Sequence, residues 1–170
     1  VLFTGRLATP TKLAMALRIA QLQDSPYVAA HVERLLRATP SGLVLAERLR
    51  TGRTQELPAT DRLALRYADL LTSDIHGVDD QTFRAVRGEF NDAEIVELTI
   101  VTAFFNYFTR FTEGLGLPVE AWVLDAAAKP VLPAATMEST ARVALATDAE
   151  LKSAAELGGR LAASGGGVAN

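Results

Sequence analysis

An all-α helical bundle is the fold this sequence predicts, and three observations predict it. Apolar residues make up 49% of the 170-residue chain, with alanine abundant and β-branched runs short, a balance that favours helix over strand. Apolar positions recur at three- and four-residue spacing through most of the chain. Helix-start signals recur as well, in Thr9-Pro10, Ser25-Pro26 and Leu57-Pro58-Ala59-Thr60-Asp61. Each pairs a capping or acidic residue with a proline, and proline is accepted in the first helical turn because its missing N–H has no partner there anyway.

Taken in order, Val1 to Ala8 reads as the exit of an earlier segment. A helix follows to about Gln21, with Leu13, Leu17 and Ala20 on one face. Ser25 is placed to cap the next helix with its hydroxyl, and Val28, Val32, Leu35 and Leu36 supply its apolar face. Thr39-Pro40-Ser41-Gly42 breaks it, and a short helix runs from Leu43 to Arg50. Thr60 is the expected cap of a helix ending near Leu71. Asp74 to Val78 is a loop, and Asp79 or Asp80 starts the helix that carries Phe83, Val86 and Phe90. Asn91, with Glu94 three residues on, forms a capping box. Residues 92 to 113 are apolar nearly all round, from Ile95 through Phe104, Phe105, Tyr107, Phe108 and Phe111, which predicts the central buried helix. Gly114 to Pro118 stops it, and a short helix surrounds Trp122 from Val119 to Ala128. Residues 1–130 form the domain. Residues 131–170 are expected to be a linker, a peripheral Ala-rich helix from Ser139 to Ala163 and a frayed tail. Leu13 to His31 and Glu97 to Leu115 share apolar spacing when shifted by 84 positions, a weak sign of internal repetition.

The totals exclude several classes. A net charge of −3 and a pI near 5.4 argue against a nucleic-acid binder. No apolar run reaches the roughly 18–20 residues that span a bilayer, and no export leader is visible, so no membrane partner and a cytoplasmic location are expected. The chain has no cysteine, which removes disulfides, thiolate nucleophiles and cysteine-ligated metals. With only His31 and His76, no metal and no cofactor are expected.

A few side chains carry chemistry. Tyr27 and His31 are four apart and share a face near the positive end of their helix. They can exchange protons, bind a small anion or simply pack. Glu97 is the odd residue on an apolar helix. It either pairs with Arg110 or another arginine, or sits in a pocket with a raised pKa. Asn106 and Arg110 share one face, where an arginine can clamp a carboxylate or brace a subunit contact. His76 lies in a polar loop, and the aromatic cluster from Phe104 to Phe111 reads as core or subunit interface.

Two stretches resemble the carboxymuconolactone decarboxylase and alkyl-hydroperoxidase D (AhpD-like) superfamily. One is Leu-Arg-Ile-Ala-Gln-Leu (17–22) followed by Pro-Tyr-Val-Ala-Ala-His (26–31). The other is Phe90 to Thr99, continuing through Asn106 and Arg110 to Leu115-Gly116-Leu117-Pro118. The resemblance covers roughly residues 5 to 125 and implies an AhpD-like helical bundle assembled as a homotrimer or a hexamer. The hydroperoxidase branch relies on a glutamate, a Cys-x-x-Cys pair and a histidine. Here Ser25 and Val28 stand at the cysteine positions and Leu13 at the glutamate, so only His31 remains. A serine cannot form the disulfide that mechanism cycles through, so peroxidase activity by that route is excluded. The decarboxylase branch needs no cysteine. It implies a cofactor-free acid–base lyase or isomerase acting on a small carboxylated metabolite, with His31 and Tyr27 as proton-transfer groups and Glu97 orienting His31. Arg110 and Asn106 would bind the substrate, with Arg18 a second candidate for the carboxylate clamp. The alternative is an inactive oligomeric scaffold or small-ligand binding protein.

Overall fold

The computed structural model describes residues 2, 3 and 5–125 and, beyond them, 149, 152 and 156. The expected linker, the body of the Ala-rich helix and the tail lie outside the described residues, as does the domain boundary near residue 130. Among the described residues the chain forms seven α-helices: α1 (Thr9–Leu22), α2 (Pro26–Arg37), α3 (Gly42–Arg50), α4 (Ala59–Ser73), α5 (Asp80–Glu89), α6 (Asp92–Leu115) and α7 (Ala121–Leu124). Short 3₁₀ turns at Thr54–Glu56 and Ile75–Gly77 flank α4.

The central helix is α1, a correction to the expectation for α6. Residues Lys12 to Leu17, with Ile19 and Ala20, are buried all round, and α1 packs against α2, α3, α4 and α6. Its alanines at 14, 16 and 20 let four neighbours approach its axis, which a helix of bulky aromatics cannot allow. By contrast, α6 buries one face through Ile95, Leu98, Val101, Thr102, Phe105, Thr109 and Thr112. Val96, Ile100, Phe104, Tyr107 and Phe111 stand on the other face, between 40% and 60% exposed. Hydrophobicity on both faces therefore marks two different surfaces rather than full burial.

The starts and stops show which local signals won. Asn91 accepts from Ala93 N and Glu94 N while Glu94 accepts from Asn91 N, completing the expected capping box. Asp79 caps α5 by accepting from Thr82 N at 2.7 Å. Thr60 instead lies inside the first turn of α4 and donates to Glu89. Ser25 occupies the N-cap position of α2, yet its hydroxyl donates 2.7 Å to Glu113 of α6 rather than capping. Asp24, in the left-handed region at φ +50°, makes the tight α1–α2 turn, a conformation Asp tolerates better than most residues. The stretch Leu13–His31 spans this turn, whereas Glu97–Leu115 lies in one unbroken helix, so the two halves of the suggested repeat differ in conformation.

Candidate functional site

The site begins where α6 ends. Gly116 adopts φ +63°, the left-handed C-cap that terminates a helix at little cost for glycine. Pro118 follows two residues later and cannot extend the helix. The chain turns back in extended backbone through Glu120, the N-cap of α7, and α7 packs on α2. That return brings Glu120 against the face of α2 bearing Tyr27 and His31.

His31 Nε2 lies 2.8 Å from Glu120 Oε2. A carboxylate oxygen accepts, so the Nε2–H of His31 is the donor of this pair. The Tyr27 phenol donates to Glu120 Oε1 at 3.4 Å, and its ring sits 4.5 Å from the His31 ring. Burial foremost, then the charge of Glu120 and the hydrogen bond to it, push the Tyr27 phenol above its ordinary pKa of 10.0. Tyr27 therefore stays protonated at neutral pH and is suited to donate a proton, not to take one.

Trp122 closes the group. Its ring meets His31 edge-on at 5.6 Å, and the Arg34 guanidinium lies 5.5 Å over it, a cation–π arrangement. Arg34 also donates to the carbonyls of Val123 and Asp125, at 3.4 and 2.7 Å, tying α2 to α7. The Trp122 Nε1–H is buried and has no hydrogen-bond partner among the described residues; leaving such a donor unsatisfied costs about 1–3 kcal/mol. His31, Arg34 and Trp122 line an open cleft of about 830 Å³ whose other walls include Leu35, Arg37, Val123 and Leu124. On its other side His31, with Tyr27, borders an apolar recess of about 220 Å³ walled by Phe104, Phe105, Phe108 and Leu2.

Of the residues singled out in the sequence, Tyr27 and His31 come together and the others do not join them. Glu97 is neither paired with Arg110 nor raised in pKa. Its carboxylate accepts the backbone N–H groups of Arg6 and Leu7 and lies 3.8 Å from the Nζ of buried Lys12. Those backbone hydrogen bonds, foremost that of Leu7, hold it below the ordinary carboxylate pKa. Gly5 makes this close approach possible: at φ +109°, a Cβ there would collide with the Glu97 carboxylate. Asn106 is occupied in a polar core network, accepting from Gln23 and donating to Thr72 Oγ1 and the Thr102 carbonyl. Arg18 is held by Asp69 through two hydrogen bonds, at 2.7 and 3.1 Å. Arg110 and His76 are exposed. Glu120 was missed because it lies 89 residues from His31, beyond any local spacing rule. The available signal was the helix stop at Gly116–Pro118, which returns the chain to the bundle.

No protein-family model matches this sequence, and no curated protein matches it. Solved structures do. An uncharacterized peroxidase-related protein from Silicibacter sp. TM1040 superposes with a TM-score of 0.65 at 22% identity, over 71% of this chain and 64% of that one. An uncharacterized peroxidase-related protein with an alkylhydroperoxidase AhpD core, from Ralstonia eutropha JMP134, gives 0.65 at 19% identity, over 72% and 65%. A protein of unknown function from Agrobacterium tumefaciens gives 0.60 at 20% identity, over 68% and 80%. The chain thus has the AhpD-like fold that its sequence resembles, and spans just under two-thirds of the length of the first two structures. Among the described residues no helix is long and apolar enough to cross a membrane.

Proposed function

We propose that this protein is a cofactor-free acid–base enzyme of the decarboxylase-like kind, a lyase or isomerase acting on a small carboxylated metabolite and lacking peroxidase activity. The observation that carries this reading is the His31–Glu120–Tyr27 group, whose His31 lines the open cleft while Tyr27 borders the adjoining apolar recess. Glu120 holds the His31 ring by one nitrogen, which leaves the other to take a proton from substrate, while the protonated Tyr27 phenol returns one. Glu120 takes the orienting role the sequence offered to Glu97. The missing cysteines support the second half of the reading, since no dithiol relay can operate.

The test is turnover against a panel of small lactones and carboxylic acids, followed by NMR, with His31→Gln as the control. Loss of turnover in a variant with an unchanged circular dichroism spectrum supports the assignment. Undiminished turnover in that variant contradicts it.

The exposed stripe on α6 favours self-association. Val96, Ile100, Phe104, Tyr107 and Phe111 form one continuous apolar face, of the kind that marks protein contacts rather than solvent. A homo-oligomer, a trimer or a hexamer, buries it. The same stripe favours the alternative of an inactive oligomeric scaffold, which predicts that His31→Gln alters only stability or assembly.

A further inference from the structure

Beside the cleft lies one group the proton-transfer reading does not use, the indole N–H of Trp122, which is buried from solvent. Buried donors in folded proteins are paired in the great majority of cases, and an unpaired one calls for a partner from outside the chain. The neighbouring acceptors are already engaged. Both oxygens of Glu120 face His31 and Tyr27, and the carbonyls of Val123 and Asp125 accept from Arg34. Of the two arginines lining the cleft, Arg34 donates to those carbonyls and Arg37 pairs with Glu33 at 2.6 Å. What the cleft offers is an apolar wall, through Leu35, Val123, Leu124 and the Trp122 ring, next to a buried donor that has no partner among the described residues.

We propose that Trp122 Nε1–H is the specificity-determining contact of the cleft and donates to a carbonyl-type oxygen of the ligand. The ligand is then a compact, largely apolar molecule bearing a ketone, ester or carboxylate oxygen. The inference rests on the reading of the cleft beside His31 as a ligand site, and adds the chemistry by which that site chooses. Because the N–H is buried, the proposal entails a tilt of the ring, carried on the single turn of α7, that presents it to the ligand. An oxygen anchored there lies near His31, whose ring centroid is 5.6 Å from that of the indole.

Trp122 is the only tryptophan in the chain, so its indole N–H gives one unambiguous NMR signal. Three probes of similar size separate the possibilities: acetophenone, a neutral acceptor; benzoate, a charged one; and ethylbenzene, which has no acceptor. All three should shift the Leu35 and Leu124 methyl signals. Only acetophenone and benzoate should move the indole proton downfield, and a larger shift with one of them tells a neutral carbonyl from a carboxylate. Trp122→Phe keeps a ring but removes the donor. It should weaken acetophenone by roughly five- to tenfold, the usual worth of one hydrogen bond, and leave ethylbenzene unchanged. Leucine and His31 shifts without an indole shift overturn the role of Trp122 and leave the cleft reading standing. If no signal in the cleft moves with any probe, both fall. The wild-type indole measurement decides the matter even if the variant does not fold.

Discussion

Replacing Glu97 by glutamine should loosen the segment that enters α1. The carboxylate accepts two backbone N–H groups, from Arg6 and Leu7, and faces Lys12, which is 1% exposed. Glutamine keeps one acceptor oxygen, turns an NH₂ group toward the other N–H, and removes the charge opposite Lys12. Losing one charge-assisted hydrogen bond and a long, partly buried ion pair together costs about 2–3 kcal/mol. For a chain of this length that corresponds to a fall in Tm of about 5–10 °C. The pH dependence adds a sharper signature. The folded protein lowers the Glu97 pKa from its ordinary value of 4.5, so the stabilisation is fully present above that value. It is lost as pH falls through the lower, folded-state pKa. The gap between wild type and Glu97→Gln, read by thermal unfolding from pH 7 downward, should therefore close in acid. Amide exchange at Arg6 and Leu7 should quicken in the variant at neutral pH. A variant as stable as wild type at pH 7, or a gap that persists unchanged in acid, refutes the clasp.

Other substitutions probe the rest of the structure. Ser25→Ala should cost about 1 kcal/mol through the lost bond to Glu113. Ser25→Asp, a good cap by sequence rules, should be worse, because it sets two carboxylates together; urea midpoints rank the two. Leu13→Ala, at a fully buried position of α1, should lose about 3–5 kcal/mol in denaturant unfolding, and a loss below 1 kcal/mol would contradict the central place of α1. Ile100→Glu on the exposed α6 stripe should shift the mass measured by light scattering toward the monomer while leaving helix content intact.

Much of the fold was legible because helix starts are local. The Asn91–Glu94 box and the α5 cap each need only three or four residues; the box formed as read, and of the two aspartates offered for α5 it is Asp79 that caps. Ser25 shows the limit. Its hydroxyl had a local use and a distant one, and the carboxylate of Glu113, 88 residues away, outcompeted the helix amides. Glu97 shows the same limit: its partners are backbone N–H groups 90 and 91 residues away, invisible to any side-chain pattern. The rank of α1 and α6 was misjudged because apolar content does not distinguish a helix packed on four sides by virtue of its alanines from one that exposes an aromatic face. At the site, the spacing of Tyr27 and His31 on one helix face was readable, whereas Glu120 and Trp122 arrive by a chain reversal that only the packed bundle defines.

The most direct test of the proposed acid–base site is the ¹⁵N NMR spectrum of the His31 ring, recorded for wild type and for Glu120→Gln. In the wild type the neutral ring should carry its proton on Nε2, held by Glu120, with Nδ1 unprotonated and shifting when a carboxylate or lactone enters the cleft. Glu120→Gln should erode that tautomer preference. A proton on Nδ1 in the wild type, or a ring that ignores both the mutation and every ligand, would mean that Glu120 does not orient His31 and that the group is no proton-transfer site.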